Sequence, residues 1–154
     1  MGGNEGQTFS NLKSAIDLIG KKLGLVTAIS SFYTTKAWGP VPQPDFINVV
    51  IAIRTVFPPL YCLKTVLDIE RSFGRRRTIK YGPRTLDIDI IYYGHETMNH
   101  PDLKLPHPEM SRRQFVLVPL CEIAPKFKHP VIHKSNLQLL IQSKDTLEVK
   151  LYKQ

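Results

Sequence analysis

The amino-acid sequence predicts one globular domain in which helices and strands alternate. Three observations carry that reading. A chain of 154 residues is the size of one ordinary domain and is long enough to bury a core. Its 42% hydrophobic and 22% charged residues are the balance of a globular protein, not a disordered one. Segments with apolar residues at helical spacing alternate with short runs rich in β-branched residues, and no internal repeat or low-complexity linker interrupts them.

The elements follow in order. Leu12, Ala15, Ile16, Ile19 and Leu23 recur at helical spacing, so Ser10 to Leu23 is predicted as an amphipathic helix with Ser10 or Thr8 as its cap and Gly24 as its end. Leu25 to Tyr33 reads as a strand, and Thr34 to Asp45, with three prolines, as a loop. Phe46 to Thr55 is β-branched enough for a second strand. Pro58 and Pro59 open a helix whose apolar face runs through Leu60, Leu63, Val66, Leu67 and Ile69 or Phe73 up to Gly74. A basic loop follows, then a third strand from Leu86 to Tyr93 and a hairpin turn at Gly94-His95 into Glu96 to Met98. Arg113 to Ile123 is apolar enough for a core helix despite Pro119, although Phe115 to Leu120 also fits an extended segment. A short helix at Asn136 to Gln142 and a strand at Leu147 to Leu151 complete the chain.

Several classes are excluded or disfavoured. No apolar run approaches the length needed to span a bilayer, and residues 1–5 have neither a basic nor an apolar leader region, so the expectation is a cytoplasmic protein without a membrane partner. Cys62 and Cys121 lie in apolar surroundings without metal-ligand spacing and read as reduced core residues. The formal net charge of +8 points to an anionic partner, either nucleic acid or a phosphorylated small molecule.

The stretch from Lys80 to Gly94 (KYGPRTLDIDIIYYG) decides where that charge acts. Arg71, Arg75, Arg76, Arg77, Lys80 and Arg84 fall within fourteen positions and lead into Asp87 and Asp89. Side chains alternate along a strand, so the two acids project from one face while Leu86, Ile88 and Ile90 take the other. Two carboxylates so close repel and need a positive partner. Structural ion pairs with the arginines would supply one. So would magnesium, which takes a few hard oxygen ligands and fills its remaining positions with water and phosphate. The arginines would then bind the phosphate oxygens bidentately, and the chemistry would be phosphoryl or pyrophosphoryl transfer. The chain has no P-loop and no protein-kinase motif set, so an ATP site here would be of another kind.

Gly82-Pro83-Arg84-Thr85-Leu86-Asp87-Ile88-Asp89-Ile90 resembles the signature of the hydroxymethyl-dihydropterin pyrophosphokinases of folate biosynthesis. The resemblance extends in order through Ser30-Ser31-Phe32-Tyr33, through Thr35 with Trp38-Gly39-Pro40, and through Gln43-Pro44-Asp45-Phe46-Ile47-Asn48. It continues in Leu105-Pro106-His107-Pro108, in Arg113-Gln114-Phe115-Val116 and in Cys121-Glu122-Ile123-Ala124-Pro125. It implies an α+β fold of ferredoxin-like type, an antiparallel-centred sheet with helices on both faces in three layers. It further implies transfer of the terminal pyrophosphate of ATP to a pterin alcohol with release of AMP.

Carried over position by position, the resemblance makes Asp87 and Asp89 the ligands of two magnesium ions on the ATP phosphates. Arg75 and Arg84 become the catalytic cations, flanking a loop that closes over ATP in this family. Glu70, Tyr81, His107 and Arg113 match nucleotide-contacting positions. Asn48 matches the residue that reads the pterin edge, Phe46 and Phe115 the aromatics that sandwich the ring, and Thr35, Lys36 and Trp38 the loop beside it. The implied partners are small molecules only, with a monomeric chain expected and association with other folate enzymes possible in principle.

Each residue has a plainer reading as well. Phe46 at a strand start fits a core, His107 between prolines fits a loop, and Arg113 fits a local cap; Asn48 is the stronger signal, because a buried amide needs partners. A basic RNA-binding sheet is the rival from another class, opposed by the paired acids within the basic segment and by the lack of an RNP-like strand. The sequence departs from the family where a full first strand precedes the turn here written Gly2-Gly3-Asn4, so a gap is expected at the centre of the sheet. The loop from Gly74 to Gly82 is about one residue shorter than in some relatives, and Arg76, Arg77, Asp102 and Lys104 receive no individual roles.

Overall fold

Apolar residues three and four apart wind Thr8–Leu23 into α1, with Leu12, Ala15, Ile16, Ile19 and Leu23 on its buried face. The computed structural model describes residues 1–37, 42–74 and 82–153. The helix starts two residues before the predicted Ser10. Neither hydroxyl caps it, because Gln7 is the N-cap residue and the Thr8 hydroxyl donates to the carbonyl of Glu5. Pro59–Ser72 forms α2 with its proline in the first turn, and α1 packs against it.

The two long strands expected at 25–33 and 46–55 are each broken in two. Gly2–Gly3 is β1, Leu25–Ile29 β2, Tyr33–Thr35 β3, Phe46–Asn48 β4 and Ile51–Arg54 β5. β2 pairs with β5, with a register shift between Val26 and Ala28, whereas β3 and β4 belong to a separate antiparallel sheet. The break has a side-chain cause. The Ser30 amide still donates to the Val50 carbonyl at 2.9 Å, but the Ser30 hydroxyl takes the amide of Val50, so a side chain replaces one of the two backbone bonds where the strands change sheets.

The larger sheet has the order β1-β4-β3-β8, where β8 is Val149–Leu151. The stretch predicted as a third strand at 86–93 joins it only through one antiparallel bridge, Gly2 to Asp87, with bonds of 2.9 and 2.7 Å. Its burial still alternates, with Leu86 and Ile88 buried and Asp89 exposed. The chain turns at Gly94-His95 as expected, but the following hairpin pairs β6 (Met98–Asn99) with β7 (Lys104–Leu105) and does not return onto residues 86–93. The central place expected to be a gap holds Gly2–Gly3, paired with Asn48 and Ile47 on one side and bridged to Asp87 on the other.

After a 3-10 turn at Met110–Arg112, Gln114–Ile123 forms α3, with Pro119 inside it, and Asn136–Gln142 forms α4 behind a Ser135/Gln138 capping box. The segment that could have been extended is therefore helical, buried through Val116, Leu117 and Leu120 against α4. The apolar residues gather in two clusters. One joins α1 and α2 to Leu86 and Ile88, and the other joins α3 and α4 to Val50, Ile91 and Tyr92. Residues 86–92 thus run between both, which helps to fix them although they form no continuous ladder. The fold is α+β with antiparallel sheets, and among the described residues no helix is long and apolar enough to cross a membrane.

Candidate active site

A cleft of about 590 Å³ opens where β1, β4 and β3 meet the 84–91 segment and the start of α3. Asp87 and Asp89 line it together with Arg84, from the face opposite the buried Leu86 and Ile88. The Arg84 guanidinium donates to Asp87 Oδ2, so the ion pair considered from sequence is formed. Glu70 fixes the segment from behind. It is buried to 2% exposure, and its Oε1 accepts the amide of Ile88, midway between the two aspartates, at 2.7 Å.

The opposite wall comes from the sheet. Thr35 and Asn48 are buried side chains on neighbouring strands, and Asn48 Nδ2 donates to Thr35 Oγ1 at 2.9 Å. Glycine keeps both sides of β1 clear: a Cβ on Gly2 would stand 2.6 Å from Asn48 Oδ1, and one on Gly3 would stand 2.7 Å from the backbone carbonyl oxygen of Thr85. Phe46 and Phe115 also line the cleft, with the Arg113 guanidinium 5.7 Å from the Phe115 ring centre. Lys36 is an exposed rim residue.

Other predicted positions fall elsewhere. Glu70 is not among the residues that line the cleft; it is buried behind the wall, where its Oε1 accepts the amide of Ile88. His107 follows a cis Leu105-Pro106 bond, takes the amide of Glu109 on Nδ1, and does not line the cleft either. Arg75, Tyr81 and Trp38 lie outside the described residues.

Three contributors were not singled out from the sequence. Asn4, 6% exposed, donates to Gln43 Oε1 and Pro44 O and accepts the amide of Arg84, so it ties both sides of the cleft together. Its place in the Gly2-Gly3-Asn4 turn matched to the family was the signal that could have found it. Asp145 and Leu147 join the wall from the C-terminal segment.

The side-chain charges of the described wall match in number: Lys36, Arg84, Arg112 and Arg113 stand with Asp87, Asp89, Glu109 and Asp145. Such a cleft suits a ligand with fixed anionic groups and an accompanying cation better than a bare polyanion. Among the described residues no group of three or more His, Cys, Asp or Glu side chains could hold a metal ion. Two carboxylates on an open wall nevertheless fit a hard divalent ion that keeps water and phosphate oxygens as its other ligands.

Residues 1–125 match the family described as 7,8-dihydro-6-hydroxymethylpterin-pyrophosphokinase (HPPK). Over 143 residues the chain is 46% identical to the 2-amino-4-hydroxy-6-hydroxymethyldihydropteridine pyrophosphokinase of Synechocystis sp., covering 92% of this chain and 73% of the relative. It is 37% identical over 134 residues to the enzyme of the same name from Aquifex aeolicus, covering 87% and 83%. It is also 36% identical over 151 residues to the Bifunctional protein FolKE of Lactococcus lactis subsp. cremoris, covering 97% of this chain and 43% of that one. With a family match over most of its length and relatives this similar, the chain belongs to the 7,8-dihydro-6-hydroxymethylpterin-pyrophosphokinase family.

Proposed function

We propose that this chain transfers the terminal pyrophosphoryl group of ATP to the hydroxyl of 6-hydroxymethyl-7,8-dihydropterin, releasing AMP, in folate biosynthesis. The single observation that carries this is the meeting of the Arg84-Asp87-Asp89 wall and the Asn48-Thr35 pair in one cleft, with Phe46 and Phe115 beside them. The first can serve a polyphosphate and the second a flat ring with donors and acceptors along its edge.

In this reading the pterin lies between Phe46 and Phe115, and the Asn48 amide and the Thr35 backbone read its edge, with Lys36 and Trp38 alongside. Its hydroxyl oxygen attacks the β-phosphorus of ATP. The new O–P bond forms as the bond from that phosphorus to the α,β-bridging oxygen breaks, AMP departs with the oxygen, and the hydroxyl proton passes to solvent. Arg84 and Arg75 offset charge developing on the phosphoryl oxygens. A polyphosphate gives Arg84 an oxygen partner alternative to Asp87. Arg113, Tyr81 and His107 contribute to the nucleotide side, and Glu70 acts on it through the 86–89 segment it supports.

Asp87 and Asp89 would hold the two magnesium ions, which when bound neutralise phosphate charge and orient the polyphosphate. We read the pairs α1-α2 and α3-α4 as the two outer layers of a ferredoxin-like domain, each held to the sheet between them by one apolar cluster. The test is nucleotide analysis of the purified chain with ATP, magnesium and hydroxymethyl-dihydropterin. AMP accumulating in step with pterin diphosphate is the expected result; ADP, or nucleotide hydrolysis indifferent to pterin, would overturn the reading.

A further inference from the structure

The segment from Ser143 to Val149 lies beyond residue 125, where the family match ends, yet it forms part of the cleft. It leaves α4 at Gln142 and enters β8, which pairs with β3 so that Val149 stands opposite Thr35. Burial alternates along it: Ser143, Asp145, Leu147 and Val149 are half-buried, and Lys144, Thr146 and Glu148 are exposed. That is the period of an extended strap with one face turned inward.

Asp145 is the centre of its contacts. Oδ2 accepts the amide of Gln114 at 2.8 Å, Oδ1 accepts the amide of Leu147 at 3.0 Å, and its backbone carbonyl accepts the Gln114 side-chain amide. Gln114 is the first residue of α3, so its N–H has no partner within the helix. The N-cap residue Arg113 supplies no side-chain cap. A carboxylate from 31 positions away fills that role, and its charge suits the positive end of the helix. Arg113 and Phe115 flank the clamped residue, and both line the cleft.

We propose that Asp145 is a positioning residue for pterin binding: by clamping Gln114 it sets the first turn of α3 and with it the Phe115 ring against the ligand. The inference rests on the reading of the cleft as a pterin site. Asp145 borders the cleft, but both of its carboxylate oxygens are taken by backbone amides, those of Gln114 and Leu147, so its effect on the pterin runs through Phe115.

The experiment compares the unaltered chain with Asp145→Ala, Phe115→Ala and the double variant. Hydroxymethyl-dihydropterin affinity is measured by calorimetric titration well below each melting temperature, and hydrogen exchange is followed at the Gln114 amide. Asp145→Ala should weaken pterin binding about ten-fold in the unaltered background, the loss of one cap's worth of order. It should have almost no effect once Phe115 is gone. An equal penalty in both backgrounds would mean a purely structural cap and overturn the proposal. Asp145→Asn, which keeps one acceptor oxygen, should fall between and guards against misfolding of the alanine variant. Exchange at Gln114 should quicken roughly ten-fold in Asp145→Ala, and unchanged exchange would remove the clamp whatever the ligand. If the unaltered chain neither binds pterin nor makes AMP, the pterin reading has failed and Asp145's role in it fails too, while exchange still judges the clamp by itself.

Discussion

Asn48 and Thr35 reach the cleft from inside a four-stranded antiparallel ladder, whereas Asp87 and Asp89 reach it from a segment that shares a single bridge with that sheet. On the first wall, backbone pairing on both sides of β4 holds the side chains in register. On the second, position depends on apolar anchors in two clusters and on individual side chains: Glu70 beneath Ile88, Asn4 on the Arg84 amide. The wall assigned to ring recognition is thus repetitive and rigid. The wall assigned to charge is assembled from single contacts, each open to a single substitution.

The largest effect should come from the charged wall itself. Asp89→Ala removes an exposed carboxylate that anchors no ladder, so it should lower pterin-dependent AMP formation by roughly three orders of magnitude or more while the thermal melt stays within a few degrees of the parent. Steady-state assay beside circular-dichroism melting checks both halves. Retained turnover would sink the assignment of Asp89 to the metal.

Next in size is the support behind that wall. Glu70→Ala leaves the buried amide of Ile88 without its acceptor, a loss of about 2 kcal/mol, and lets Asp87 and Asp89 shift together, so kcat should fall along with stability. Glu70→Gln keeps an acceptor oxygen and should cost less of both. Urea unfolding with parallel kinetics separates these outcomes; a Glu70→Ala chain as stable and active as the parent would show that the clusters alone position the aspartates.

The sheet wall should behave differently. Asn48→Ala deletes one side-chain bond to Thr35 while leaving the ladder through β1, β4 and β3 untouched, so stability should fall by only about 1 kcal/mol. The pterin KM should rise about ten-fold, with kcat changing less. A collapse of kcat equal to that of Glu70→Ala would erase the distinction between the walls.

What the sequence made legible follows the same division between near and far. The alternation of Asp87 and Asp89 against Leu86 and Ile88 is a period-two pattern, visible within five residues, and the helical faces of α1 and α2 are equally local. The strand breaks at Ser30 to Phe32 and at Val49-Val50 were not visible, because nothing in those apolar runs shows that one Ser hydroxyl will take a ladder amide from 20 residues away. The bond from Glu70 to the Ile88 amide was equally hidden, because a charged residue late in an amphipathic helix gives no sign of a partner 18 positions later. The three bonds of Asn4 span about 40 to 80 positions, and Asp145 reaches Gln114 across 31. Polar side chains that close such distances determine the cleft, and a single sequence carries no local trace of the closure.

The smallest effect, and the one that best tests whether the walls are energetically separate, lies behind α3. Burial, with a lesser push from nearby His133, holds the pKa of His129 below its ordinary 6.5. The geometry agrees: the ring is buried and Nδ1 accepts the amides of Val131 and Ile132, so protonation there would set a charge against two donors. Between the lowered folded value and 6.5 the unfolded chain therefore binds more protons than the native one. The contribution of His129 is complete above pH 6.5 and is lost as pH falls from there through the folded value. Lowering pH from 7.5 to 5.5 should reduce the melting temperature by on the order of a few degrees, and His129→Asn, whose amide oxygen can accept without titrating, should flatten the profile. His129 packs edge-on against Tyr92, whose hydroxyl donates to Asn136 at the start of α4. The acid-induced loss should therefore appear in hydrogen exchange of α4 before the β3-β4 ladder. Simultaneous loss in both would mean that the ladder wall and the helices behind Phe115 unfold as one unit.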